Sequence, residues 1–127
     1  MICLDIGNTN IVAGYYKNDK LYNVLRINTK QYRDLKKENH DIIAISSVVP
    51  KIEKFITKKF ESSSCFSVSY LNSGIKLEVE QPKEVGNDRI SNMKAIIEKK
   101  LYPSVIVDFG SATTYDVIDK NGYFIGG

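Results

Sequence analysis

A carboxylate inside an apolar strand restricts a fold severely, and this chain asks for one twice. "MICLDIGNTNIVAGYY" sets Asp5 near the end of an apolar run, just before Gly7, Asn8, Thr9 and Asn10. "SVIVDFGSATTYDVIDKNGYF" sets Asp108 in the same relation to Gly110 and Ser111. A shift of 103 positions lays Asp5 on Asp108, Gly7 on Gly110, Asn8 on Ser111 and Lys17-Asn18 on Lys120-Asn121. Both copies read strand, Asp, apolar residue, Gly, polar turn, strand, hairpin turn, strand. Repetition of so unusual a residue as a strand aspartate points to an internal duplication.

The pattern carries its own chemistry. A glycine-led turn lets backbone N–H groups approach a phosphate with no side chain in the way, and a strand-end Asp beside it faces the same space. Two such hairpins facing one another would grip a polyphosphate, with the carboxylates holding its cations, since Mg²⁺ takes one or two carboxylates plus phosphate oxygens and water. For one copy alone the plainer reading is an Asp that caps its own turn. The duplication shifts the balance to phosphate.

Composition bounds the rest. With 127 residues, 43% of them hydrophobic, and only three prolines, the chain can bury a core of ordinary domain size. The net charge of +3 comes from scattered pairs, Lys36-Lys37, Lys58-Lys59 and Lys99-Lys100, which read as solvated helix faces and argue against a nucleic-acid surface. Cys3 and Cys65 form no metal or redox motif, and Cys3 reads as core. A reduced, cytoplasmic chain is expected. No secretory leader is visible, and no apolar run approaches the roughly 20 residues of a membrane span. His40 stands alone in "KKENHD" and takes no role.

Periodicity predicts strands at 2–6, 11–17 and 21–27 as a meander, a polar helical stretch near 30–39, and a strand in "DIIAISSVV" buried on both faces. Pro50 opens a helix with Ile52, Phe55, Ile56 and Phe60 on its apolar side. "CFSVSYL" and "IKLEV" read as short strands, and "GNDRISNMKAIIEKKL" as a helix with Ile90, Met93, Ile97 and Leu101 on its apolar face. The buried strand "SVIVDF" and a hairpin turned at Asn121-Gly122 follow. The fold class is α/β.

Taken in order and spacing, "DIGNTN", "SSVVP", "GNDR" and "DFGSATTYDVID" resemble the type III pantothenate kinases of the acetate kinase, sugar kinase, Hsp70 and actin superfamily. The resemblance covers the whole chain. It implies two ribonuclease H-like halves with mixed sheets and ATP between them, and phosphorylation of pantothenate in the first step of coenzyme A synthesis. By position, Asp5, Ile6, Gly7, Asn8, Thr9, Asn10, Ile11 and Val12 would form the first phosphate loop, with Asp5 serving Mg²⁺. Gly86, Asn87, Asp88 and Arg89 would contact pantothenate, Asp88 accepting the hydroxyl proton and Arg89 meeting anionic oxygens. Asp108 would hold a monovalent cation, K⁺ or NH₄⁺, and Ser111 would bind ATP in the second loop. The resemblance also implies a homodimer. Taken without it, Asp88 reads as a helix cap and Arg89 as a surface or ion-pair residue. The chain departs from the family at Ser111, where threonine is usual, at Asn87, where a small residue is common, and in "LEVEQ", which lacks a tyrosine often found there.

By the repeat, residues 1–103 form the first half and 104–127 only the start of a second, so the chain is expected to be a fragment of a longer kinase with 104–127 as an orphaned meander. Two other functions compete. One is a non-catalytic Baf-type transcriptional regulator on the same fold, disfavoured by the three aspartates and by the absence of a helix-turn-helix or dense basic patch. The other is a kinase for a different small alcohol, because a fold alone does not choose a substrate.

Overall fold

The computed structural model describes residues 1–36 and 40–127. Lys37 of the first lysine pair, and residues 37–39 of the stretch expected to be helical, lie outside the described residues. The chain is mixed α/β and divides into two compact units, Met1–Ser67 and Val68–Gly127.

The first unit is built on a five-stranded sheet in the order β3-β2-β1-β4-β5. Its strands are β1 (Ile2–Ile6), β2 (Asn10–Lys17), β3 (Lys20–Asn28), β4 (Ile42–Ser47) and β5 (Ser64–Ser67). β1, β2 and β3 run antiparallel as the expected meander, whereas β4 lies parallel to β1, and β5 parallel to β4. Asn18 and Asp19 take positive φ between β2 and β3, the conformation of a two-residue hairpin turn whose twist matches that of the strands. Parallel pairing needs a crossover, and α1 (Pro50–Lys59) provides the one between β4 and β5. Pro50 opens it, Glu53 lies in its first turn and Lys58 and Lys59 in its last, each charge matching the helix dipole. Ile52, Ile56 and Phe60 bury against Ile2, Leu4, Ile6, Ile11, Ile43 and Ile45.

Several expectations change here. The predicted helix near 30–39 is a 3₁₀ segment, Thr29–Asp34, kinked at Gln31 and capped by the Asn28 side chain. Leu35 is the buried apolar residue that follows it, too little periodic surface to hold an α-helix on the sheet. Lys59 is a tether instead of a solvated charge: its Nζ donates to the carbonyls of Arg33 and Leu35. β4 is buried on one face only, through Ile43, Ile45 and Ser47, while Ile42 on the other is exposed. Cys3 is half-buried on that other face, and Cys65 packs against the edge of the core. Burial pushes both thiols up, away from the reactive thiolate form.

The second unit sets α2 (Asn87–Glu98) on an antiparallel sheet, β6-β7-β8, of Ser104–Phe109, Thr113–Ile118 and Phe124–Gly126. Ile90 and Met93 of α2 meet Ile118 and Phe124 in its core, with Ile97 and Ile106 packed beside them. β6 to β8 are therefore no orphaned meander, for α2 covers one face. The other face is open: Val105, Val107, Phe109, Tyr115 and Ile125 are all exposed, so "SVIVDF" is buried on one side only. Leu101 lies beyond the end of α2 and is exposed. "IKLEV" forms no strand. It reaches β8 through a single bridge at Leu77, flanked by hydrogen bonds from Phe124 N–H to Lys76 and from Glu78 N–H to Phe124, and "CFSVSYL" is ordered as a strand only to Ser67.

The β7–β8 connection is the expected hairpin, with Gly122 at φ +78°. The Asp119 carboxylate accepts N–H groups of Tyr123 and Asn121 and the Asn121 side-chain amide. These bonds, that from Tyr123 first, hold the Asp119 carboxyl below its ordinary value of 3.8. A depressed carboxylate contributes stability above its unfolded pKa and loses it as pH falls through its folded one. Thermal melts of wild type and Asp119→Ala are expected to differ at neutral pH, the gap closing as pH falls below the carboxylate range. Ile56→Ala, which empties a site of 0% exposure, is expected to lower unfolding free energy by about 2–5 kcal/mol in urea titrations.

Candidate functional site

Asp5 pairs in register with Val12 of β2 and Ser46 of β4, and its side chain is exposed while Leu4 and Ile6 on either side are buried. Strand alternation explains this directly. Ser46, on the same side of the sheet as Asp5, carries a hydroxyl with no hydrogen-bond partner among the described residues. The loop after Asp5 is closed by Gly7 N–H donating to the Asn10 carbonyl at 3.0 Å. A Cβ on Gly7 would stand 3.1 Å from that same oxygen, so a side chain there would press on the turn. Asn8 and Thr9 at the tip are exposed.

The loop is tied from outside itself. Thr29, buried, donates its hydroxyl to the Gly7 carbonyl at 2.8 Å and its N–H to the Thr9 carbonyl at 2.9 Å. The motif reading passed over Thr29, because nothing in the sequence near "RINTK" marks a partner 22 positions away.

The second unit holds the other hairpin. Asp108 pairs with Thr114, and Phe109 with Thr113, across a three-residue turn, where Ile6 and Ile11 enclose a four-residue one. Gly110 N–H donates to the Ala112 carbonyl at 3.2 Å. The two hairpins thus share design but differ by one residue in the turn. Ser111 is exposed in the shorter one.

Asp88 and Arg89 lie in the first turn of α2, half-buried. Gly86 is the N-cap and makes no side-chain cap, so Asp88 is not the capping residue; its Oδ1 accepts the N–H of Arg89 at 2.7 Å. Two side chains then join α2 to the sheet. Arg89 reaches Asp116 of β7 through Nε at 2.8 Å and Nη2 at 2.5 Å, both on Oδ1. Asn92, one helical turn on, donates Nδ2 to Asp108 Oδ2 at 3.0 Å. Residues Gly86–Arg89 and Asp108–Ser111 therefore belong to one compact unit, and Asp5–Val12 to the other.

Sequence reasoning missed Asn92 and Asp116. For Asp116 the signal was present, a charge between β-branched residues in "TTYDVID", the same anomaly that drew attention to Asp5. Among the described residues no three His, Cys, Asp or Glu side chains gather as a metal cluster. Asp5 and Asp108 fit instead the donor set of a cation that takes one protein carboxylate and completes its shell with phosphate and water.

A family model described as type III pantothenate kinase matches residues 1–127. The chain belongs to the type III pantothenate kinase family. It is 33% identical to the type III pantothenate kinase of Halalkalibacterium halodurans over 147 aligned residues, covering 100% of this chain and 58% of that relative. A crystal structure from Campylobacter jejuni, described as a conserved Baf family transcriptional activator, superposes with a TM-score of 0.64 at 23% identity, covering 99% of this chain and 52% of that one. That likeness shows a shared fold. The chain spans little more than half the length of either of these two proteins.

Thr29→Val is expected to cost about 1 kcal/mol in urea titrations, the net value of one hydrogen bond. It should also speed amide exchange at Gly7, while exchange in α1 stays as it was.

Proposed function

We propose that this chain is the part of a pantothenate kinase that carries both phosphate hairpins and the acceptor segment, transferring the terminal phosphoryl group of ATP to the primary hydroxyl of pantothenate. The observation that carries the reading is the family match across residues 1–127, which includes the "GNDR" segment at the start of α2.

Each residue then has a defined task. Asp5–Val12 form the first phosphate loop, and the exposed Asp5 carboxylate serves Mg²⁺. Ser111 contacts ATP in the second loop. Asp108 holds K⁺ or NH₄⁺, with Asn92 on one of its oxygens fixing the direction of the other. Gly86 and Asn87 border the acceptor, Asp88 orients the hydroxyl and takes its proton late, and Arg89 meets the acceptor's anionic end. Because phosphoryl transfer runs through a loose transition state, positioning and charge neutralisation dominate, and the base adds a smaller factor. Mg²⁺ and the monovalent cation supply neutralisation of charge on the transferring group.

The reading extends to a ribonuclease H-like architecture, with 1–103 as a first half and 104–127 as the start of a second. The strand order β3-β2-β1-β4-β5 and the second antiparallel meander, β6-β7-β8, support it. A homodimer working in the cytoplasm goes with it. No helix among the described residues is long and apolar enough to cross a membrane. The Baf-type regulator has a fold likeness at 23% identity behind it.

The full-length protein is expected to make 4'-phosphopantothenate from ATP, Mg²⁺ and pantothenate in a coupled assay, and to slow markedly when K⁺ is omitted. Asp88→Asn is expected to lower kcat by about 10²- to 10⁴-fold with KM for ATP unchanged. Absence of product from the unaltered protein, or a different alcohol turned over in preference, would refute the reading.

A further inference from the structure

Asp116 is accounted for neither by the repeat nor by the acceptor motif. It sits on β7 with its side chain 1% exposed, facing α2, and Arg89 is its ion-pair partner with 23% of its own side chain exposed. Both bonds from Arg89, Nε and Nη2, fall on Oδ1, while Oδ2 has no hydrogen-bond partner among the described residues. An arginine and a carboxylate paired for strength alone meet fork to fork and use both oxygens. A buried ion pair is also a poor source of stability, because desolvation offsets its attraction. The geometry suits aim better than strength. Arg89 Cζ lies 5.7 Å from the centre of the Phe124 ring, so the guanidinium is held by a carboxylate and an aromatic face while part of it reaches solvent.

We propose that Asp116 is a positioning residue for the acceptor: it locks Arg89 beside Asp88 so that the guanidinium selects small alcohols that carry a carboxylate. This rests on the reading that Gly86–Arg89 contact the acceptor. A free arginine surrenders much side-chain freedom when it binds an anion, and one fixed beforehand surrenders little. Arg89 fixed in advance also draws the acceptor's carboxylate to one point, which sets the distance from there to the hydroxyl at Asp88. Alcohols lacking the carboxylate gain nothing from this arrangement.

The test uses the full-length protein, with kinetics and direct calorimetric binding of pantothenate. Asp116→Asn keeps the shape and removes the charge. It is expected to raise KM and Kd for pantothenate about tenfold or more, the weight of one charge-assisted hydrogen bond, with KM for ATP at the wild-type value. It should also narrow the preference for pantothenate over its carboxylate-free alcohol analogue. In the Arg89→Gln background the same change should add nothing further, since Asp116 acts through Arg89. An unchanged pantothenate KM in Asp116→Asn, or full additivity in the double variant, overturns the proposal. If Asp116→Asn does not fold, NMR on the unaltered protein decides: the Arg89 Nε–H should exchange slowly with and without pantothenate, and exchange at the solvent rate overturns the anchor. Failure of the acceptor reading shows separately, in wild-type protein that neither binds nor phosphorylates pantothenate.

Discussion

In the second unit, a carboxylate shut away from water sets the terms for everything around it. Asp116 faces α2 from the inner side of its sheet, beside the apolar Ile106, Ile118 and Phe124. Removing one partner of such a pair costs about 3–5 kcal/mol, because a buried charge is left unmet. The helix that carries Arg89 is thereby tied in register to β7, and the Gly86–Arg89 segment at its N-terminus inherits that register. Asn92 to Asp108 adds a second tie one turn later. Between them Ile90 and Met93 supply apolar contact, which holds the helix to the sheet without choosing its rotation or its slide. The polar ties make that choice, because hydrogen bonds have direction and hydrophobic contact does not.

The first unit reaches a comparable end with neutral groups. Its sheet joins the meander to β4 and β5 by parallel pairing of β1 and β4, α1 packs against it, and the Gly7–Asn10 loop follows the end of β1. A loop so rich in small polar residues has little to pack, so its shape depends on backbone bonds. Thr29 meets two of its carbonyl groups, and Val48 N–H bonds to Ile6 just before it. The corresponding hairpin in the second unit is one residue shorter and closes on Ala112. The two hairpins have the strand, the carboxylate and the glycine in common and differ in the turn.

Much of this was legible in the residues. The meander, α1 opening at Pro50, α2 with its buried Ile90 and Met93, and the hairpin at Asn121-Gly122 follow from short-range rules of period, capping and turn chemistry. The misses have a common cause. "IKLEV" alternates as a strand should, yet pairing needs a neighbour of matching length, and β8 has three residues. "DIIAISSVV" and "SVIVDF" are apolar throughout, which says that both faces tolerate burial; whether both are covered depends on which layers lie against them. Lys59 looked like a surface charge because its two carbonyl partners are more than 20 positions away.

By itself the sequence determined the types of element, the doubled strand-Asp-Gly hairpin and the family to which the chain belongs, for each of these is written in residue identity and local spacing. Only the tertiary structure decided that Arg89 meets Asp116, that Asn92 meets Asp108 and that Thr29 ties the first loop. Those contacts join residues 16 to 27 positions apart in sequence. Their existence turns on how a helix is rotated over a sheet and how a sheet edge returns past a turn. Rotation and return are products of packing, which no local pattern encodes.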